Sequence, residues 1–226
     1  MPPAKAHRYL VSFIRGGFVD RDLLSGRYRL GARAIELGAS ALDAIDPYDL
    51  STEAMIELHD ELDHTIVLSV WGTRGPVIVR VEEADQLITV SFRLGKSLPL
   101  LRTASGLLFT AFLPSPIVGP LIEAELRQDR ESLGSKLIRS RNEVQRLLQE
   151  VRSRKIARIT GDITPGIDAI AVPIFDYRNY PATVITAVGP SGSFDISWNG
   201  PVANALRRKC AEIASKLGKR RGTRGE

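Results

Sequence analysis

The sequence predicts an α+β protein in which a small basic head precedes a larger body built around an antiparallel sheet. Three observations carry this reading. Apolar residues at helical spacing alternate with short apolar runs of strand length. The runs TIVLSVWG, PVIVRVE and QLITVSF follow one another through short turns at Gly72–Gly75 and Glu83–Asp85, as a meander does. The charge is also segregated. Residues 1–33 hold seven Lys/Arg against Asp20 and Asp22, net +5, and residues 216–226 hold five against Glu226, net +4. With +5 for the whole chain, the body between them carries −4. A basic head on an acidic body points to a polyanionic partner for the head.

The first element runs from Pro3 to Arg15. Ala6, Leu10 and Phe13 fall at helical spacing, with Tyr9 and Ile14 beside them. Pro3 suits a first helical turn, where a missing N–H is no loss, and Gly16-Gly17 stops the helix. Lys5, Arg8 and Ser12 share a second face at i, i+3 and i+7, with His7 nearby. Phe18-Val19 and Tyr28…Leu30 then flank a turn at Ser25-Gly26 and read as a β-hairpin. Arg27 and Arg29 alternate with Tyr28 and Leu30, away from the apolar side. A helix followed by a basic two-stranded wing is the second half of a winged helix-turn-helix. In that arrangement the helix enters the major groove and the wing lies near phosphates. Residues 33–45 predict a second amphipathic helix with Ile35, Ala39, Leu42 and Ile45 on its stripe, a linker and dimer contact that Asp46-Pro47 ends.

In the body, residues 48–64 read as a helix through Met55, Leu58 and Leu62, and the meander follows. LGKSLPLLRTASGLLFTAFLP runs from a loop into a helix that starts near Thr103 and ends at Leu113-Pro114. A helical pair is expected over about 117–127 and 140–154, then strands IARIT, DAIAVPIF and ATVITAVG. A last helix carries Val202, Leu206, Cys210, Ile213 and Leu217 on one face.

Composition and motifs narrow the function. At 226 residues and 43% apolar content the chain can bury a sizeable core, and no apolar run approaches the roughly 20 residues of a membrane span. One cysteine excludes an intramolecular disulfide and makes a reducing cytoplasm the expected compartment. Gly95-Lys96-Ser97 ends like a phosphate-binding loop, but Val90 stands where that loop needs glycine. His59 and His64 lie five apart, off one helical face, and Cys210 sits on an apolar stripe as a core thiol. No motif calls for a metal or a cofactor, and nothing demands an enzyme.

AKAHRYLVSFIRGGFVDRD followed by SGRYRLG resembles the DNA-binding half of the bacterial IclR-type transcriptional regulators. LGKSLPLLRTASG, TPGIDAIAVPIFD and VITAVGP keep the order of that family's landmarks, so the resemblance covers nearly the whole chain. It implies a partial winged helix-turn-helix over residues 1–31, a linker helix over 32–46, a GAF-like effector-binding domain over 47–218 and a basic tail over 219–226. It also implies a homodimer or dimer of dimers whose binding to double-stranded operator DNA is controlled by a small organic acid. The head matches from the turn before the recognition helix onward. The family's first two helices are absent from this sequence, so a protein that binds effector and dimerises without reading DNA is the alternative expectation. On the resemblance, Lys5, His7, Arg8, Ser12, Arg27 and Arg29 contact DNA. The effector pocket is expected between the sheet and residues 98–106. Amides of Ala104 and Ser105 hold a carboxylate, Gly106 also belongs to the site, Leu87, Val90, Leu98 and Ile167 form an apolar wall, and Thr186 and Val188 lie on the last strand. Relatives that bind small acids place an acidic residue and a hydroxyl where this chain has Ile159 and Val188, so an acid with a larger apolar or aromatic body is expected.

Overall fold

The computed structural model describes residues 2–43, 46–84, 92–131, 140–161 and 165–217. The chain divides into two compact units, Met1–Asp46 and Pro47–Glu226.

The first unit is a helix, a hairpin and a second helix. Helix α1 (Pro3–Arg15) ends where Gly17 takes φ +72° and Phe18 N–H donates to the Phe13 carbonyl at 2.9 Å. Strands β1 (Val19–Arg21) and β2 (Tyr28–Leu30) pair antiparallel, Val19 opposite Leu30. The Asp22 carboxylate caps the turn by accepting from Leu24 and Ser25 amides at 2.9 and 2.8 Å, and these bonds hold its pKa below the usual carboxylate range. Gly31 is buried against the turn after α1. A Cβ there would lie 2.4 Å from the Gly17 carbonyl oxygen, so only glycine lets the wing close on the helix. Helix α2 (Ala32–Asp43) follows.

So small a unit cannot cover its own apolar surface. Phe13 is 50% exposed, and Tyr28, Leu30, Ile35 and Leu37 are exposed as well. The inward side expected of Tyr28 and Leu30 is therefore open within this unit. Of the predicted α2 stripe, Ala39 and Leu42 are not described at side-chain level, and Ile45 lies outside the described residues.

The second unit is a five-stranded antiparallel sheet of order β4-β3-β7-β6-β5, covered on both faces. Its strands are β3 (Thr65–Gly72), β4 (Gly75–Glu82), β5 (Ala157–Thr160), β6 (Ile167–Phe175) and β7 (Pro181–Pro190). Being buried on both faces makes β6 and β7 read as near-continuous apolar runs rather than alternating ones. Pro173 is tolerated in the inner strand β6 because it lies beyond the last β5 pair, Ala157 with Ala171. The predicted third meander strand, QLITVSF, falls almost wholly outside the described residues, as does the basic tail.

Helices α3 (Pro47–Leu62) and α7 (Pro201–Lys216) cover one face and bury Met55, Leu58, Ile66, Leu68, Ile170, Ile185 and Leu206. Ser51 of α3 bonds Thr183 of β7 at 2.6 Å. Exposed Glu57 pairs with Lys209, and that hydrogen bond holds the Glu57 carboxyl below its usual pKa. The Cys210 thiol packs against this core and donates to the Pro173 carbonyl at 2.9 Å. His59 closes the end of α3 through its Nδ1 contact with the His64 carbonyl at 3.2 Å.

Helices α4 (Ala104–Phe112), α5 (Ser115–Glu131) and α6 (Arg141–Arg154) lie on the other face. The α4 start, the α6 span and the five described strands of this unit match the sequence reading closely. Helix α5 extends further at both ends than predicted, with Pro120 inside it. Among the described residues no helix is long and apolar enough to cross a membrane.

Candidate effector site and nucleic-acid interface

The candidate effector site is built on the N-terminus of α4. Thr103 is the N-cap: its Oγ1 accepts from Gly106 N–H at 2.8 Å, and its carbonyl accepts from Leu107 N–H at 2.9 Å. Two first-turn amides remain, those of Ala104 and Ser105. Both residues are buried, at 1% and 3% exposure, and no acceptor meets either amide among the described residues. Buried N–H groups without acceptors are uncommon, and at a helix N-terminus they favour an anion.

The preceding loop is fixed from α5. The Glu125 carboxylate accepts from the Leu100 amide at 2.7 Å and the Leu101 amide at 3.0 Å. Thr103 Oγ1 also donates to the Pro99 carbonyl at 2.7 Å. The turn is so close that a Cβ on Gly106 would lie 2.2 Å from the Pro99 carbonyl oxygen and 2.5 Å from that of Leu100. The start of α4 is thus a rigid ledge, which is what a site needs if ligand binding is not to be spent on ordering the loop.

From the ledge itself, Ser105 Oγ reaches Thr186 Oγ1 of β7 at 2.8 Å, and both are buried. Beside them Val67, Ile78 and Val188 form a separate apolar patch with Leu98, Ile167 and Phe92 packed against it. The structure therefore brings Leu98, Ile167 and Val188 together, and Ser105 together with Thr186. Gly106 shapes the ledge, and its own amide donates to Thr103 Oγ1. Leu87 and Val90 lie outside the described residues. Ile159 packs against the neighbouring core under α4. Sequence reasoning missed Glu125, which looks like any polar residue of an amphipathic helix, and Ser69, one serine in the run TIVLSVWG.

In the first unit Lys5, His7, Arg8 and Ser12 are all carried on α1, and Lys5, His7, Arg8 and Ser12 lie toward solvent. Ser12 Oγ donates to the Arg8 carbonyl at 3.2 Å, which leaves its lone pairs but not its proton for a partner. Arg27 and Arg29 are carried on the wing; Arg29 lies 3.7 Å from Asp20, an exposed pair of little energetic weight.

Comparison with known proteins agrees with this architecture. The family model described as "Bacterial transcriptional regulator IclR C-terminal" matches residues 39–216. The chain is 29% identical over 223 residues to the glycerol operon regulatory protein of Streptomyces coelicolor, covering 93% of this chain and 82% of that protein. It is 26% identical over 186 residues to the HTH-type transcriptional regulator XynR of Escherichia coli, covering 82% of this chain and 71% of that protein. Among solved structures it is similar to Pseudomonas aeruginosa HmgR, with TM-score 0.88, 36% identity and coverage of 98% of this chain and 87% of that one. The Thermotoga maritima IclR structure matches with TM-score 0.64 and 27% identity, covering 96% and 87%. These relatives are regulators rather than enzymes, and with most of its length matched, the chain belongs to the IclR family of bacterial transcriptional regulators.

Proposed function

We propose that the protein is a cytoplasmic, ligand-responsive regulator that binds operator DNA as a homodimer or dimer of dimers, with an organic acid as effector. The buried amides of Ala104 and Ser105, which meet no acceptor among the described residues, carry the effector reading, together with the Ser105–Thr186 hydroxyl pair and the apolar patch around Val188. A carboxylate supplies the acceptors that these amides lack, and the patch around Val188 and Ile167 takes the apolar body. Isothermal calorimetry tests this. Aromatic monocarboxylates such as benzoate and phenylpropionate should bind more tightly than short keto-acids such as pyruvate, and the opposite order would refute the apolar-body assignment.

The DNA reading rests on the solvent face of α1 and on the basic wing. Arg8→Ala should weaken operator binding by about 1–3 kcal/mol if its guanidinium reaches a base edge. Arg27→Ala and Arg29→Ala should each flatten the log–log salt dependence by about 0.9 for every phosphate that is no longer neutralised. Gel shifts at fixed and at varied salt separate the two, and an Arg8→Ala protein with wild-type affinity rules out the base contact.

Exposure of Ile35 and Leu37 on α2 favours a second reading, in which the head serves dimerisation and the protein binds effector without DNA. Absence of any gel shift with the upstream intergenic DNA, from a protein that still binds acids, supports it.

A further inference from the structure

The sheet face beneath α4 carries two apolar clusters rather than one. The first, under α4 and α6, includes Leu107, Leu108, Val184 and Ala171; the second is the patch of Val67, Ile78 and Val188. Polar side chains mark the boundary between them. Thr186 and Ser105 are two of these, and Ser69 of β3 is the third.

Ser69 has 0% exposure, and its hydroxyl meets no partner among the described residues. Its orientation follows from register. It pairs with Val184 on one side and Ile78 on the other, one residue from each cluster. Directly opposed residues of an antiparallel pair project to the same face, so Ser69 projects to the face of Thr186, whose own partner on β3 is Val67. A bulge between Leu68 and Ser69 reinforces this, since it brings Ile78 and Val81 to the same patch and turns Val79 to the opposite core. A fully buried hydroxyl without a partner is destabilising, and an apolar residue of similar size would pack there at no such cost.

We propose that Ser69 contacts the effector and sets its specificity. This rests on the effector reading above. With the carboxylate on the Ala104 and Ser105 amides and the apolar body over Val67, Ile78 and Val188, the Ser69, Thr186 and Ser105 hydroxyls form a neutral seam. Hydroxyls both donate and accept, and the strand side chains that line this seam carry no charge. The seam therefore recognises an uncharged oxygen rather than a second anion. The ligand class is a monocarboxylate whose apolar body bears one hydroxyl or keto oxygen.

Calorimetry on the full chain with matched acids tests this: para-hydroxybenzoate against benzoate, para-hydroxyphenylpropionate against phenylpropionate, and benzoylpropionate against phenylbutyrate. The wild-type protein should bind the oxygenated member of at least one pair about tenfold more tightly. Ser69→Ala should shrink that ratio to about twofold or less while binding the unsubstituted acid as before, without lowering the melting temperature of the unliganded protein. Should Ser69→Ala fail to fold, Ser69→Cys, close in size and a weak donor, must give the same collapse. A Ser69 variant that keeps the full ratio, or a wild-type protein that binds acids without distinguishing any pair, overturns the role of Ser69 and leaves the effector reading standing. A wild-type protein that binds none of these acids overturns both.

Discussion

Gly106→Ala should destabilise the second unit by about 3 kcal/mol and abolish effector binding. The added methyl would meet the Pro99 carbonyl oxygen at 2.2 Å, the Leu100 carbonyl oxygen at 2.5 Å and Thr103 Oγ1 at 2.6 Å. Two of these obstacles are backbone and cannot rotate aside. Overpacking of this kind usually costs about 1–3 kcal/mol. Here it also pushes on the Thr103 cap, a bond worth about 1 kcal/mol by itself, so the upper end is expected. The binding defect follows from place, because the atoms forced to move hold up the amides of Ala104 and Ser105. Gly119→Ala in α5 is the matched control. Nothing lies within 4 Å of its added methyl, and alanine is the better helix former by up to about 1 kcal/mol. Denaturant midpoints should thus move in opposite directions for the two substitutions. A Gly106→Ala protein as stable as wild type would show that the loop does not approach α4 this closely.

The second large effect is expected at Glu125. In Glu125→Ala, the Leu100 and Leu101 amides lose their acceptor while their residues stay 3% and 1% exposed. An unsatisfied buried donor costs about 1–3 kcal/mol, so the pair costs about 2–6 kcal/mol unless water enters. Glu125→Gln should lose less, since one amide oxygen still accepts while the amide nitrogen faces a second donor. The order wild type, Gln, Ala should appear in the unfolding midpoints and again in effector affinity, because the loop positions the ledge. A Glu125→Ala protein within about 0.5 kcal/mol of wild type, the scatter of ordinary surface substitutions, would show the clamp to be dispensable.

How much of this could be read in the chain depends on the range over which each feature is decided. The helix end at Gly16-Gly17, the break at Asp46-Pro47, the hairpin around Ser25-Gly26 and the start of α4 at Thr103 were all legible. Each is set by residues within a turn or two of the place it governs. The basic face of α1 was legible for the same reason, since helical spacing alone puts Lys5, Arg8 and Ser12 together. Strand positions were legible, but strand order was not: β3 lies between β4 and β7, a strand more than a hundred residues away.

The site was only partly legible, and the boundary is physical. Sequence and family resemblance pointed to the start of α4 at Ala104 and Ser105 and to Leu98, Ile167 and Val188, which the fold brings into one apolar patch. They did not decide that the Gly106 amide is spent on its own cap. Alternation along β4 would also have put Val79 and Val81 on one face, and the bulge opposite Leu68 and Ser69 separates them. By itself, then, the sequence determined most of the described elements, the ends that local residues set, the charge of the head and the family. The tertiary structure decided the meeting of Ser105 with Thr186 across 81 residues, the hold of Glu125 on a loop 24 and 25 residues back, and the burial of Ser69 with no partner among the described residues. Propensity and periodicity are properties of neighbours along the chain, whereas a hydrogen bond between distant residues exists only once packing has fixed both its ends.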